Sequence, residues 1–400
     1  MLKKTKKILT ITMMGMLALG NVTVMAEERS DNETTTENYT TAESSEAGEE
    51  YNMGSSNGAV SIEEVNVNWE APELISNIGN ISVKKNINVG NISVPLYCTF
   101  DSQQEALSAI SDNEVIQLLK DEYGFEDISD ANWQQYYNAM YEMLDSPECP
   151  EWYNEENDEL WQLRQFFDIY ENEERNDEII YSINSNARIS DVTQNADILL
   201  LLPYDSYLTL NQQSSVLNNE QAITTSVIAG FDIDAGISYA TTYAESPNED
   251  DYKYFSSDCT NFASQILENG GVAQVVYDSE NSGWWHTVSK VLFVTTHDHS
   301  ISWIRADTFA KYMGVGYTST SHSAFSSNIQ KGDFIGYDES NDGDWNHIGF
   351  VTDRNNSPLD GWYNYKVAQH TKNYNAWVSS DTNGWETLES KGVKYGRIRR

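Results

Sequence analysis

Residues 252–271 read Tyr252-Lys-Tyr-Phe-Ser-Ser-Asp258-Cys259-Thr260-Asn261-Phe262-Ala263-Ser264-Gln265-Ile266-Leu267-Glu268-Asn269-Gly270-Gly271. Ser256, Ser257 and Asp258 are residue types that cap helices, because their side-chain oxygens accept from the first free N–H groups. Phe262, Ala263 and Ile266 share one apolar helical face, and Gly270-Gly271 stops the helix. Cys259 therefore falls in the first helical turn. A thiolate there is stabilised by the positive helix end and by free backbone N–H groups. The same N–H groups suit part of an oxyanion hole. A lone cysteine at a helix start also fits a buried, inert thiol, so the chemical reading requires a base elsewhere.

Residues 332–353 supply one. Gly332-Asp333-Phe334-Ile335-Gly336-Tyr337-Asp338 reads as a strand, followed by an acidic loop to Asp344. Trp345-Asn346-His347-Ile348-Gly349-Phe350-Val351-Thr352-Asp353 reads as a second strand, which makes a hairpin with His347 at the start of its second arm. The next strand is Tyr365-Lys366-Val367-Ala368-Gln369-His370. A polar group on it is placed to orient the imidazole of His347, as in a nucleophile–base–orienter triad.

The stretch Asp258-Cys259-Thr260-Asn261-Phe262-Ala263-Ser264-Gln265 with Gly270-Gly271 resembles the bacterial "putative amidase domain" family. That family is similar to the NlpC-type and CHAP papain-like cysteine hydrolases. Further matches are Trp284-Trp285, Ser302-Trp303 with Phe309 and Tyr312, Gly332-Asp333 with Tyr337-Asp338, His347 with Val351-Thr352, and Gln369-His370-Thr371. The resemblance covers about residues 230–390. It implies an α+β fold whose C-terminal papain-like domain packs a helix carrying the cysteine on a small antiparallel sheet. It also implies Cys259 as nucleophile, His347 as general base and His370 as third residue, with Asn373 and then Asp353 as alternatives. Trp284, Trp285 and Trp303 either line a substrate groove, since aromatic faces suit sugar rings and peptide stems, or pack in the core. The implied substrate is peptidoglycan or a peptide, cut at a stem-peptide bond or at the sugar–peptide amide, with no cofactor.

Outward from this segment the chain divides. Residues 1–26 have the form of a secretory signal peptide: Lys3, Lys4, Lys6 and Lys7, an apolar run from Ile8 to Leu19, and Val24-Met25-Ala26. The expected product is exported, extracellular or in the cell wall, with no membrane partner once the signal is cleaved. Residues 27–58 are an acidic Ser/Thr-rich spacer expected to be disordered. Residues 59–229 read as an acidic α+β accessory domain, and 230–400 as the amidase domain. Within 59–229, alternating Val/Ile in 59–100 predicts strands, the spacing of apolar residues in 102–175 predicts helices, and 178–225, including Ile198 to Leu202, reads as strand-like.

The net charge is -38. Residues 1–230 hold 11 Lys+Arg against 40 Asp+Glu, and residues 231–400 hold 13 against 22. That balance repels nucleic acid. All six histidines lie at or beyond His286, so groups that titrate near neutrality gather with Cys259. Cys98 and Cys149 either pair, leaving Cys259 free, or all three stay reduced.

Two motifs stand outside the triad. His297-Asp298-His299 has metal-ligand spacing without convincing further ligands, and no metal is assigned. Asp338-Glu339-Ser340-Asn341-Asp342-Gly343-Asp344 matches the first half of a calcium loop, but Gly349 stands where the twelfth-position Glu belongs. The plainer reading is a solvated acidic turn. Two other functional readings stay open: an exported binding or adhesion protein with an inactive amidase-like domain, and an inhibitory pro-region upstream of Gly230.

Overall fold

The computed structural model describes residues 62–65, 71–78, 83–89, 92–185, 195–208, 210, 230–277, 279–291 and 294–398. The signal-peptide and spacer segments lie outside the described residues. Residues 56–400 form one compact unit. The fold is α+β.

The N-terminal strands β1 (Ile62–Val65), β2 (Val83–Val89) and β3 (Ile92–Thr99) make a small antiparallel sheet in that order. β3 is an edge strand, and an open edge is a liability unless covered. Here α5 (Asn172–Ser185) covers it with carboxamides. Asn176 accepts from the Tyr97 N–H and donates to the Tyr97 carbonyl, both at 3.0 Å, and Asn172 donates to the Cys98 carbonyl.

Between them run α1 (Gln103–Ile110), α2 (Glu114–Tyr123), α3 (Trp133–Leu144) and α4 (Asp158–Tyr170). Asn113 and Asn157 cap α2 and α4 with their side chains. The apolar stripes meet in one core that holds Leu119, Tyr136, Met140, Leu160, Phe166 and Phe167. The strand-like reading of 178–225 is corrected for 178–185 and 196–201, while 186–194, 209 and 211–225 lie outside the described residues. Residues up to Ser185 continue α5, and Ala196–Leu201 form α6, capped by Asn195. A short, wholly apolar run has no periodicity to separate helix from buried strand, and the cap decides it.

The C-terminal part is built on a six-stranded, fully antiparallel sheet of order β10-β9-β8-β7-β11-β6. Its strands are β6 (Val315–Ser319), β7 (Phe334–Asp338), β8 (His347–Arg354), β9 (Tyr365–Gln369), β10 (Tyr374–Trp377) and β11 (Lys394–Ile398). Alternation sends Phe334, Ile348, Phe350 and Ala368 to one face, where they meet α7 (Ile233–Tyr243) and α8 (Cys259–Asn269) through Tyr239, Phe262 and Ile266. Ile335, Tyr337, Val367, Tyr395 and Trp385 pack on the other face, together with Trp161 of α4. The helical segment is thus cemented onto the sheet. Arg164 of α4 extends that contact: it donates to Tyr337 Oη at 2.8 Å and to Glu339 at 2.5 Å, all buried.

Trp161 is fully buried against the sheet. Its replacement by Ala is expected to cost about 3–5 kcal/mol, read as a lower denaturant midpoint with the helical and sheet signals still unfolding together.

Candidate functional site

Cys259 is the first residue of α8 and is buried. Asp258 occupies the N-cap position, yet its carboxylate does not cap the helix. It accepts from Phe255 N–H at 3.0 Å, from Asn261 Nδ2 at 2.8 Å, and faces His370 Nδ1 at 2.6 Å. The helix start is capped from 112 residues away. Thr371 Oγ1 accepts from both Asp258 N–H (2.9 Å) and Cys259 N–H (3.2 Å). Thr371 has φ +79°, a costly conformation for a β-branched residue that only surrounding bonds sustain. The expectation of a free Cys259 N–H is corrected accordingly: that donor is used.

His370 stands just past β9, on the helix side of the sheet. Its ring stacks on Phe262 at 3.8 Å and 8°. Nε2 faces the Tyr243 carbonyl at 2.9 Å, an acceptor only, so Nε2 carries a proton. Nδ1 faces the Asp258 carboxylate. His370 therefore clamps α7, α8 and the β9 end, and both ring nitrogens are spent. It makes no contact with His347, which corrects its assignment as orienter of that base. Neither alternative takes the place. Asn373 donates its N–H to Asp145 and its Nδ2 to Tyr254, and Asp353 is exposed.

His347 is the first residue of β8. Ile348 packs toward α8, so His347 points to the opposite face, where its ring stacks on Tyr337 at 5.0 Å and lies against Trp385. Burial, helped by the Arg164 charge, lowers its pKa to about 3, and the Gln369 carboxamide beside the ring opposes that shift. Its Nε2 is buried without a hydrogen-bond partner, as is Nε2 of Gln369. The Gln369 oxygen is taken by Trp385 Nε1 at 2.8 Å. Gln369 is thus the polar residue of β9 that faces His347. The two-residue alternation of strands separates 369 from 370, and the β8–β9 register puts 369 on the face of 347.

No hydrogen bond joins Cys259 to His347 among the described residues. The sulfur lies 3.6 Å from Thr260 Oγ1. Burial raises the Cys259 pKa, while N–H groups of Ile348 and Thr260 and the Thr260 hydroxyl pull the other way. The resting site therefore holds a neutral thiol and a neutral imidazole. Cys259 lines a cavity of about 220 Å³ whose other walls include Tyr137, Tyr141, Arg164, Arg175 and Asn346. Helices α3 to α5 thus build much of the space beside the thiol.

Trp284 and Trp303 are core residues, which corrects the groove reading for them. They stack on each other at 4.9 Å and are almost fully buried. Their indole N–H groups donate to Ser264 and Asn261 on α8, and such partners permit burial. Trp285 is also buried and donates to the Ser282 carbonyl. None of the three lines the cavity beside Cys259. His286, at the start of β4 (His286–Val291), meets His297 of β5 (Val294–His299) at 2.9 Å. Cys98, Cys149 and Cys259 are all free thiols.

With the sheet and the cysteine-bearing helix in place, residues 230–394 match the family described as "Putative amidase domain". The match is to that segment, less than half of the chain. The chain is similar to the uncharacterized protein YhbB of Bacillus subtilis (strain 168), 34% identical over 110 residues, which is 27% of this chain and 33% of that protein. It is also similar to the uncharacterized protein YjcM of the same organism, 30% identical over 152 residues, 36% of this chain and 32% of that protein. The chain spans about a third of the length of these relatives. No solved structure matches it.

Two outcomes follow from the geometry. Thr371→Val keeps the shape and removes the acceptor of two buried N–H groups, so a loss of about 2–4 kcal/mol is expected, with the near-ultraviolet signal of the helix-side tryptophans altered. His347, neutral in the fold at about 3, binds its proton more readily when unfolded. Its contribution to stability is present above pH ~6.5 and falls by up to about 1.4 kcal/mol per pH unit toward its folded value. Denaturant titrations between pH 7 and 5 are expected to show a flatter acid loss for His347→Gln than for wild type.

Proposed function

We propose that the protein is a secreted cysteine amidase of papain-like type, acting on an amide of peptidoglycan at a stem-peptide bond or the sugar–peptide link. The observation that supports it best is Cys259, first in its helix and facing a cavity whose walls come from helices α3 to α5 and from the C-terminal part of the chain. The signal-like segment at 1–26 is the sequence feature that favours export.

In this reading the resting pair is neutral. His347 Nε2, buried and unpartnered, is the group this reading assigns to take the thiol proton as the substrate enters. Such bonds are commonly long in free enzymes and tighten on the substrate. The Cys259 sulfur then adds to the carbonyl carbon, the imidazolium protonates the leaving amine, and the C–N bond breaks to leave a thioester. Water, deprotonated by the same imidazole, releases the acid and the free thiol. Gln369 is the positioning residue that steadies His347 in place of His370. Tyr141 and Arg164 give the acyl side of the substrate an aromatic wall and a cationic one.

Purified sacculi digested with wild type and with Cys259→Ala test this. Soluble fragments carrying a new amine are expected from wild type and at least ~1,000-fold less from the variant. Equal release by both ends the proposal and favours a binding module. Gln369→Ala is expected to lower kcat by about 10–100-fold with little change in KM, while Gln369→Glu recovers part of it with a shifted pH profile.

A further inference from the structure

The β7–β8 loop is not the solvated turn its composition suggests. Asp338, Asp342 and Asp344 are all buried, and so is Asp168 of α4. Asp338 is satisfied: it accepts from Asp342 N–H at 3.1 Å and Gly343 N–H at 2.9 Å, and pairs with Lys394 at 3.1 Å. Glu339 pairs with Arg164. Arg175 bonds Asp344 Oδ2 and Glu171 Oε1. Asp342 and Asp344 are less completely served, and an unpaired buried charge carries a desolvation cost of several kcal/mol.

Two of their oxygens, Asp342 Oδ2 and Asp344 Oδ1, are buried with no hydrogen-bond partner. Both belong to residues more than nine-tenths buried. Asp168, Glu171 and Asp344 can each bring an oxygen within 4.8 Å of the others, the spacing of ligands around one ion. Asp342 is the strongest charged neighbour of Asp168. Ser340 Oγ donates to Asp168 Oδ2 at 3.0 Å, and Asn346 Nδ2 donates to Asp168 Oδ1 at 2.7 Å, which holds that carboxylate in place.

We propose that Asp168, Glu171 and Asp344 hold a divalent cation of the calcium class, with the unpartnered carboxylate oxygen of Asp342 beside them. All the donors are oxygens, which suits calcium and magnesium and disfavours softer metals. They come from a loop and a helix, a pliable set that suits the six to eight ligands of calcium better than the strict octahedron of magnesium. The contiguous calcium loop lacks its last acid at Gly349. Asp168 of α4 and Glu171, the residue that follows its last turn, supply carboxylates from elsewhere in the chain. The bound ion ties α4 to the β7–β8 loop. That loop ends in Asn346, which lines the Cys259 cavity beside Asp168 and Glu171.

The test uses the mature chain stripped with chelator. Calcium is titrated calorimetrically, terbium luminescence is excited through tryptophan with magnesium as competitor, and the unfolding midpoint is followed alongside. Saturable binding of one calcium per chain is expected in the micromolar to millimolar range, with a rise in Tm that magnesium reproduces poorly. Asp342→Asn is expected to weaken binding at least ~10-fold while raising the Tm of the metal-free protein, because an unpartnered buried charge is gone. Asp168→Asn is expected to weaken binding as well. Absence of saturable calcium binding by wild type at concentrations of order 10 mM overturns the proposal, as does binding unchanged in both variants. Cys259→Ala is expected to bind calcium like wild type, so failure here and failure of the amidase reading are told apart.

Discussion

The start of helix α8 has four backbone N–H groups to satisfy and a thiol to present, and its own sequence does not satisfy them. Asp258 sits where a cap belongs but its carboxylate turns away to His370, Asn261 and Phe255. The hydroxyl of Thr371 takes the N–H groups of Asp258 and Cys259 instead. Everything about the thiol depends on this exchange. It docks the helix end against the end of β9, and it holds the sulfur near the N–H of Ile348, the residue after His347. The cost is carried by Thr371 in a left-handed conformation, sustained because two buried donors lose their acceptor if it relaxes.

Gln369, His370 and Thr371 divide three tasks by direction. Gln369 points to the sheet face that holds His347. His370 points to the helix face and closes on Asp258 and Tyr243. Thr371 ends the strand and caps α8. Strand alternation alone separates the first two. The polar residue that serves the base therefore has to be sought on the parity of His347, and not on the residue type most familiar in catalytic triads.

The helical segment and the C-terminal part of the chain share charge as well as apolar surface. Arg164 and Arg175 reach from α4 and α5 to Glu339 and Asp344 on the β7–β8 loop. They balance part of a buried acidic group and form walls of the cavity beside Cys259. This coupling explains why the acidic loop is inside: it is covered by a helix layer that brings two cations to it. Removing water there strengthens each pair and makes each unpaired acid expensive.

Much of the architecture was legible in the sequence because it rests on local physics. The helix over Ile233–Tyr243, the helix starting at Cys259 and stopping at glycine, and the hairpin that opens its second arm at His347 follow from periodicity, caps and breakers. The run at Ile198–Leu202 was misread because an all-apolar segment has no period, and the burial of Trp284 and Trp303 was open because an aromatic ring suits a groove or a core equally. What the sequence by itself determined is which segments become helix or strand, and that Cys259 begins one. Only the tertiary structure decided the partners: Thr371 as cap, His370 as clamp, Gln369 beside His347, and four carboxylates crowded under α4. Those depend on which faces and charges meet across more than a hundred residues, and local propensity carries no record of that.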